Sequence, residues 1–291
     1  MSTTPEKNIH FIHLSDPQLI PAGEMNYDIN PQLRIRQCID AILSDCVSLS
    51  LDFAVITGDL THWGEEVAYK VLREELSRLP FPVYMLMGNH DQRETFSTVF
   101  PEHPIDDESG FVQYILDSSA GRMIFLDTLD VGKRSGVLCQ ERLQWLESML
   151  TDSEGQPVYL FMHHPPFTVG LSAMDDDNLV NADEFLQAVK PYLTQIRHIF
   201  FGHLHRTVTG SWHGISYSCP LSPVHQTAFE FGNKPESKKP SYVSPEPPAY
   251  HLVELKPEQV VVHSRLFLHS EPAIDSRSCY RYQLHGQLNK E

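Results

Sequence analysis

No two cysteines stand at CxxC spacing, no segment concentrates lysine and arginine, and no apolar run approaches the roughly 20 residues of a membrane helix. Each absence removes a class of explanation. The five cysteines (Cys38, Cys46, Cys139, Cys219 and Cys279) are odd in number and scattered. This argues against a zinc ribbon or a fully paired disulfide framework and makes buried free thiols the expectation, with an intersubunit disulfide left open. The net charge is -16, so a nucleic-acid polymer would meet a repulsive field. A small anionic substrate is compatible with that charge, because bound cations invert the potential inside a cleft. The opening segment MSTTPEKNIHFIHLSD has no basic stretch leading into an apolar one and no small-residue cleavage site. No secretory signal is expected, and the chain reads as cytoplasmic with no membrane partner.

With 291 residues, 41% of them hydrophobic, the chain can bury a sizeable core. In its first two thirds, short apolar runs alternate with helix-period segments, the pattern of stacked α/β layers. Strands are expected over residues 9–15, 53–57, 83–87, 111–116, 123–127, 158–162 and 198–201. Between them Ile35, Ile39, Ile42 and Cys46 recur at helical spacing, as do Val67, Val71, Leu72, Leu76 and Leu79, and Leu143, Leu146, Met149 and Leu150. These stripes predict helices that face a core. After His205 the helical pattern fades, and strands are expected over 207–212, 215–219, 250–255 and 260–267, with the second sheet built largely from this half. Residues 229–248, rich in Pro, Ser and Lys, read as an exposed loop. No internal repeat or clean linker divides the chain, so one elaborated domain is expected.

Five short signals share one placement, each where an apolar strand run stops: Ser15-Asp16-Pro17-Gln18, Gly58-Asp59, Gly88-Asn89-His90-Asp91, His163-His164-Pro165-Pro166 and Gly202-His203-Leu204-His205. Loops leaving the carboxyl ends of strands converge on one crevice in open α/β sheets. Asp, Asn and His supply hard oxygen and borderline imidazole donors suited to Mn, Fe, Zn or Co. Cysteine is absent from all five signals, which points to an open catalytic metal site and not a closed thiolate one. Members of an i, i+2 pair, such as Asp16 with Gln18 or His203 with His205, project to one side of an extended segment and can reach one cluster. Each signal alone is weak; their order and joint placement carry the inference.

Together these residues resemble the calcineurin-like metallophosphoesterases, whose pattern runs DxH, GD, GNHD or GNHE, a lone or doubled His, and GHxH. LRIRQCIDAI, GNHDQRETFSTVFP, the FLDT to RLQWLESML stretch, GHLHRTVTGSWHGI and PPAYHLVEL are similar to the class III cyclic-nucleotide phosphodiesterase and glycerophosphodiesterase branch, over residues 8–268. The resemblance implies an α/β fold: a four-layer α-β-β-α sandwich of two mixed sheets flanked by helices. It implies a single domain over 1–291 with its core at about 8–268, and a C-terminal tail at 269–291. It also implies two divalent or mixed-valence metal ions (Mn, Fe or Zn). Asp59 would bridge both, Asp16 and His205 would complete the first site, and Asn89, His163 and His203 would bind the second. His90 would face the substrate and stabilise charge or protonate the leaving oxygen. Two cations about 3.5–4 Å apart polarise a water to hydroxide and hold phosphoryl oxygens for in-line attack, and an imidazole with a pKa near 6.5 delivers a proton at neutral pH.

Gln18 stands where the pattern has the histidine of DxH. Three roles are open to it: ligation through its amide oxygen, a hydrogen bond to a metal-bound water, or a first metal that loads only with substrate. A weakened but functional first site is the expectation. Among the neighbours, His164 is expected to be structural, Asp91 and Arg93 to begin a helix or orient His90, Asp127 to be an outer partner or a strand-end carboxylate, and His225 to lie at the surface. The acidic turn 174–179 reads as solvated; by resemblance it falls in a loop near the substrate, where residues 175–178 would influence specificity. The expected activity is hydrolysis of a small phosphodiester, of cyclic-nucleotide or glycerophosphodiester type. A phosphomonoesterase using the same cluster is the alternative, and a non-catalytic scaffold is less favoured because only one ligand position departs. Loops 21–31 and 168–181 and the region after Cys219 are expected to shape the pocket. A homodimer or higher homo-oligomer is left open.

Overall fold

Parallel strands covered on both faces need near-continuous apolar runs, and this chain supplies them. The structure, a computed structural model, describes residues 8–153, 155–231, 242–256 and 258–268. Residues 232–241 of the expected loop, the tail 269–291 and Cys279 lie outside the described residues. The first part of the chain forms β1 (Ile9–Leu14), α1 (Pro31–Asp45), β2 (Phe53–Ile56), α2 (Glu66–Leu76), β3 (Val83–Met85) and α3 (Arg93–Val99). A hairpin of β4 (Tyr114–Ser118) and β5 (Gly121–Phe125) leads into α4 (Gln140–Thr151), β6 (Val158–Phe161), α5 (Ala182–Val189) and β7 (Ile196–Phe200). Then follow β8 (Val208–Trp212), β9 (Ile215–Cys219), the short β10 (Gln226–Thr227) and β11 (Val243–Ser244), and the long hairpin β12 (Ala249–Lys256) and β13 (Gln259–Leu266).

Two mixed sheets result, one ordered β13-β12-β1-β2-β3 and the other β4-β5-β6-β7-β9-β8. They carry α1 to α3 and α4 with α5, the sandwich that the sequence implies. Alternation along the second sheet shows how it is buried: Met123, Phe125, Tyr159, Phe161 and Phe200 join the core shared with the first sheet, while Ile124, Val158, Leu160 and Ile199 join the core under α4 and α5. Between the sheets Phe161 stacks on Phe125 at 4.6 Å and on Phe200 at 4.8 Å, and Phe11 meets Phe200 edge-on at 5.4 Å.

The structure changes three expectations. The second sheet is not built largely from the half after His205: only β8 and β9 join it, and the β12–β13 hairpin pairs antiparallel with β1 in the first sheet, from Ile9↔Leu255 to His13↔His251. Alternating polarity marks a strand's two faces and is silent about its neighbour, so periodicity could not assign the partner. The strands expected at 111–116 and 123–127 lie instead at Tyr114–Ser118 and Gly121–Phe125, with the Val112 N–H bonded to the Asp127 carboxylate and not to a ladder. Val67 is 52% exposed, because the buried face of α2 is formed by Ala68, Tyr69, Val71, Leu72, Glu75 and Leu76. No helix among the described residues is long and apolar enough to cross a membrane.

Candidate metal centre

The strand order brings the five signals together. β1, β2 and β3 run parallel in one sheet, as do β5, β6 and β7 in the other, so Asp16, Asp59 and Asn89 leave one sheet on the same side as His163, His203 and His205 leave the other. Beyond their strands the first two loops stay zipped: Asp16 N–H donates to Gly58 O, Gln18 N–H to Asp59 O and Leu19 N–H to Leu60 O, at 2.9–3.1 Å. Asp16, Gln18, Asp59, His203 and His205 all have positive φ, from 40 to 70°. Left-handed backbone is uncommon outside glycine, and such strain gathers where surrounding structure holds a functional side chain in place. Gly58 shows how tight the turn is: φ is +94°, and a Cβ there would lie 2.6 Å from His163 Nδ1.

The side chains meet in a buried cluster. His163 Nε2 lies 3.4 Å from Asp59 Oδ1, His205 Nε2 lies 3.4 Å from Asp16 Oδ1, and His203 Nδ1 lies 3.1 Å from Asn89 Oδ1. Backbone carbonyls orient the rings. His163 Nδ1 bonds Thr57 O at 2.6 Å and His205 Nδ1 bonds His225 O at 2.9 Å, which leaves each Nε2 facing inward. Three buried atoms in this cluster have no hydrogen-bond partner: Asp16 Oδ1, His163 Nε2 and His203 Nε2. Burial pushes the Asp16 carboxyl up, with Asp59 adding to the effect. Burial acts the same way on Asp59, but His163, His90 and the His90 N–H outweigh it and hold that carboxyl low. Burial holds His203 and His205 neutral, with their lone pairs available. Two buried carboxylates sharing a site with unpaired lone pairs call for cations, and the donor set fits them. Two groups have donor atoms within 4.8 Å of one another, Asp16 with Asp59 and His205, and His163 with His164 and His203. His164 is distinguished by its own bonds: Nδ1 accepts from Thr128 Oγ1 at 2.8 Å and Nε2 donates to Arg134 O at 3.1 Å, so both nitrogens are engaged elsewhere.

Gln18 reaches the cluster. As placed, its amide nitrogen is 3.2 Å from Asp59 Oδ2 and 3.3 Å from His205 Nε2, and its amide oxygen is 3.1 Å from His62 Nδ1. His90 stands beside the cluster, Nε2 lying 3.9 Å from Asp59 Oδ2 and Nδ1 donating to His62 O at 2.8 Å. Asp91 accepts the Leu60, Thr61 and Gly88 N–H groups and the Tyr69 hydroxyl, so it clamps the second and third loops together. Asp127 is held by the Arg93 fork at 2.6 and 2.7 Å, away from the cluster. His225, expected at the surface, is 7% exposed, because the segment after β9 folds back over His205. Asp175 accepts the Val169 and Gly170 N–H groups and Asp177 pairs with Arg134, which makes the acidic turn an organised one. A cavity of about 340 Å³ opens over the cluster and is lined also by Tyr27, His62, Trp63, Arg134 and Met174. Sequence reasoning named the loops of Tyr27 and Met174 but none of these five side chains.

A sequence profile described as Calcineurin-like phosphoesterase matches residues 9–207. The chain belongs to that family. This phosphoesterase is 36% identical over 272 residues to a probable cyclic nucleotide phosphodiesterase of Rhodopseudomonas palustris, covering 90% of this chain and 94% of the relative. It is 31% identical over 242 residues to a probable glycerophosphodiester phosphodiesterase of Arcobacter nitrofigilis, covering 83% and 86%. In fold it is similar to a dimetal phosphatase from Danio rerio, with a TM-score of 0.67 at 14% identity over 89% of this chain and 96% of that one. The phosphoesterase is thus a metal-dependent hydrolase of phosphate esters.

Proposed function

We propose that the chain hydrolyses small phosphodiesters at a dinuclear metal centre whose two sites would share Asp59. Asp16, His205 and the amide oxygen of Gln18 complete one site, and Asn89, His163 and His203 the other. The observation that carries this reading is the convergence of unpartnered Asp16 Oδ1, His163 Nε2 and His203 Nε2 beside Asp59. The mixed oxygen and imidazole set suits Mn, Fe or Zn, and a pair of such ions supplies Lewis acidity and an activated water. Gln18 presents its oxygen only if its amide turns over, trading its nitrogen to His62.

His90 has the geometry of a general acid. Its Nδ1 is occupied by the His62 carbonyl, so Nε2 is the atom that holds or releases a proton toward the cavity. Burial alone would push this imidazole down, but in the metal-free protein Asp59, the His62 carbonyl, Asp91 and Asp16 outweigh it and raise its pKa; bound cations would offset the pull of Asp59 and Asp16, so the acid role rests on the position of Nε2. The charge of the cavity supports a diester over a monoester. Arg134 is the only lysine or arginine that lines it among the described residues, and it is already paired with Asp177 at 3.1 Å. A monoanionic diester asks for less neutralisation than a dianionic monoester. No disulfide joins the four described cysteines, and a cytoplasmic setting is part of this reading. Comparing kcat/KM on bis-p-nitrophenyl phosphate and p-nitrophenyl phosphate after loading with Mn, Fe or Zn tests the reading. Preference for the diester is expected, and a strong monoester preference would overturn it.

A further inference from the structure

Two large aromatic side chains stand open to solvent at the rim of the cavity, Tyr27 at 55% and Trp63 at 63% exposure. Both flank His62, Trp63 with ring centroids 4.3 Å apart and Tyr27 at 6.4 Å. His62 in turn stacks on His90 at 4.9 Å with 21° between the planes. An aromatic wall therefore runs unbroken from the rim to the residue beside the metal cluster. Tyr27 is held there at a cost. It sits at φ 50° and Asp28 at φ 60°, in a four-residue turn closed by Asn26 and Ile29 through bonds of 2.8 and 2.9 Å. Two consecutive positive φ values define a turn that ordinarily takes Asn and Gly, and a bulky tyrosine there is a backbone outlier. Strain of this kind persists where the surroundings enforce it, commonly at ligand clamps. Asn26 Nδ2 lies 3.4 Å from His62 Nδ1, which sets the turn against the wall.

We propose that Tyr27 and Trp63 form a subsite for a planar heteroaromatic group carried by one alcohol of the diester. On this basis the centre favours a nucleoside-derived diester over an aliphatic glycerol one. The inference rests on the phosphodiesterase reading for its substrate, but its binding part is measurable without turnover. Stacking tolerates any base, so discrimination among bases is expected to be weak.

Tyr27→Ala and Trp63→Ala alter exposed side chains and are expected to fold, which thermal melting checks. In each, the ratio of kcat/KM on 3′,5′-cyclic AMP to that on glycerophosphocholine should fall by roughly 5- to 150-fold, the range set by loss of one base-stacking contact. Trp63→Phe should recover most of the loss. Equal losses on both diesters, or an unchanged ratio, would overturn the subsite. Calorimetric titration with adenosine 5′-monophosphate gives the second readout, and weaker binding in both alanine variants is expected. If wild type hydrolyses no diester yet binds this nucleotide through Tyr27 and Trp63, the phosphodiesterase reading fails and the subsite stands. If wild type does not bind the nucleotide, or the variants bind it as well as wild type does, the subsite fails.

Discussion

His90 lies 3.9 Å from Asp59 and is fixed from behind by the His62 carbonyl, so its contribution can be isolated by substitution. His90→Ala should lower kcat on a diester with an alkyl leaving group by about 10²- to 10⁴-fold, the usual worth of a positioned general acid. The loss should be smaller when p-nitrophenolate leaves, since that group needs little protonation. Equal losses for the two leaving groups would remove the acid role. Gln18 carries the second prediction at this scale. Imidazole is a better donor than a neutral amide, so Gln18→His should tighten metal binding at one of two sites in a metal titration. Equal affinity in the two proteins would sink the idea of a weakened site. The residues of the cluster were legible in sequence because each ends an apolar strand and follows a short fixed motif. Tyr27, His62, Trp63 and Arg134 were not, because each is a single side chain whose place depends on how a loop turns, and no spacing rule encodes that.

The elements that position the site are strands whose exits are tight. Gly58→Ala places a methyl group where His163 Nδ1 lies 2.6 Å away and forces alanine to φ +94°. Loss of metal binding together with a lower melting temperature is expected, and unchanged metal affinity would show that the turn has room. Phe161 lies in the stack between the sheets. Phe161→Ala should cost about 3–5 kcal/mol in chemical denaturation, the range for deleting a buried aromatic, and a loss well under that range would mean the layer collapses around the gap. Strands and helices were legible from period alone, as in β1, β2 and the Ile35, Ile39 and Ile42 face of α1. What period could not give was neighbour choice: the β12–β13 hairpin joined β1 because His13 to Ile9 offered an open ladder that local pattern does not display.

At the scale of the whole molecule, folding encloses several histidines that the proposed reaction does not use, among them His13 on β1, His198 on β7 and His251 on β12. Burial lowers all three, His198 to about 3 and His251 to about 4, and mutual repulsion among the three lowers His13 further. Their unfolded imidazoles titrate near 6.5. As pH falls below that value the unfolded chain takes up protons that the folded one refuses, so stability declines from about pH 6.5 down through the depressed folded values. Melting temperature should therefore drop steadily between pH 7 and pH 4.5. His251→Phe, which removes a buried Nδ1 without a partner, should flatten that slope; an unchanged slope would assign the acid lability elsewhere. The two sheets also decide the site, since neither alone carries the full set of proposed ligands: Asp16, Asp59 and Asn89 come from one and His163, His203 and His205 from the other. The central claim is that this junction holds two metals. The most direct test is anomalous diffraction from crystals of manganese-loaded protein. The account predicts two peaks about 3.5–4 Å apart, with Asp59 between them, Asp16 and His205 against one, and Asn89, His163 and His203 against the other. A single peak, or none at these residues, would contradict it.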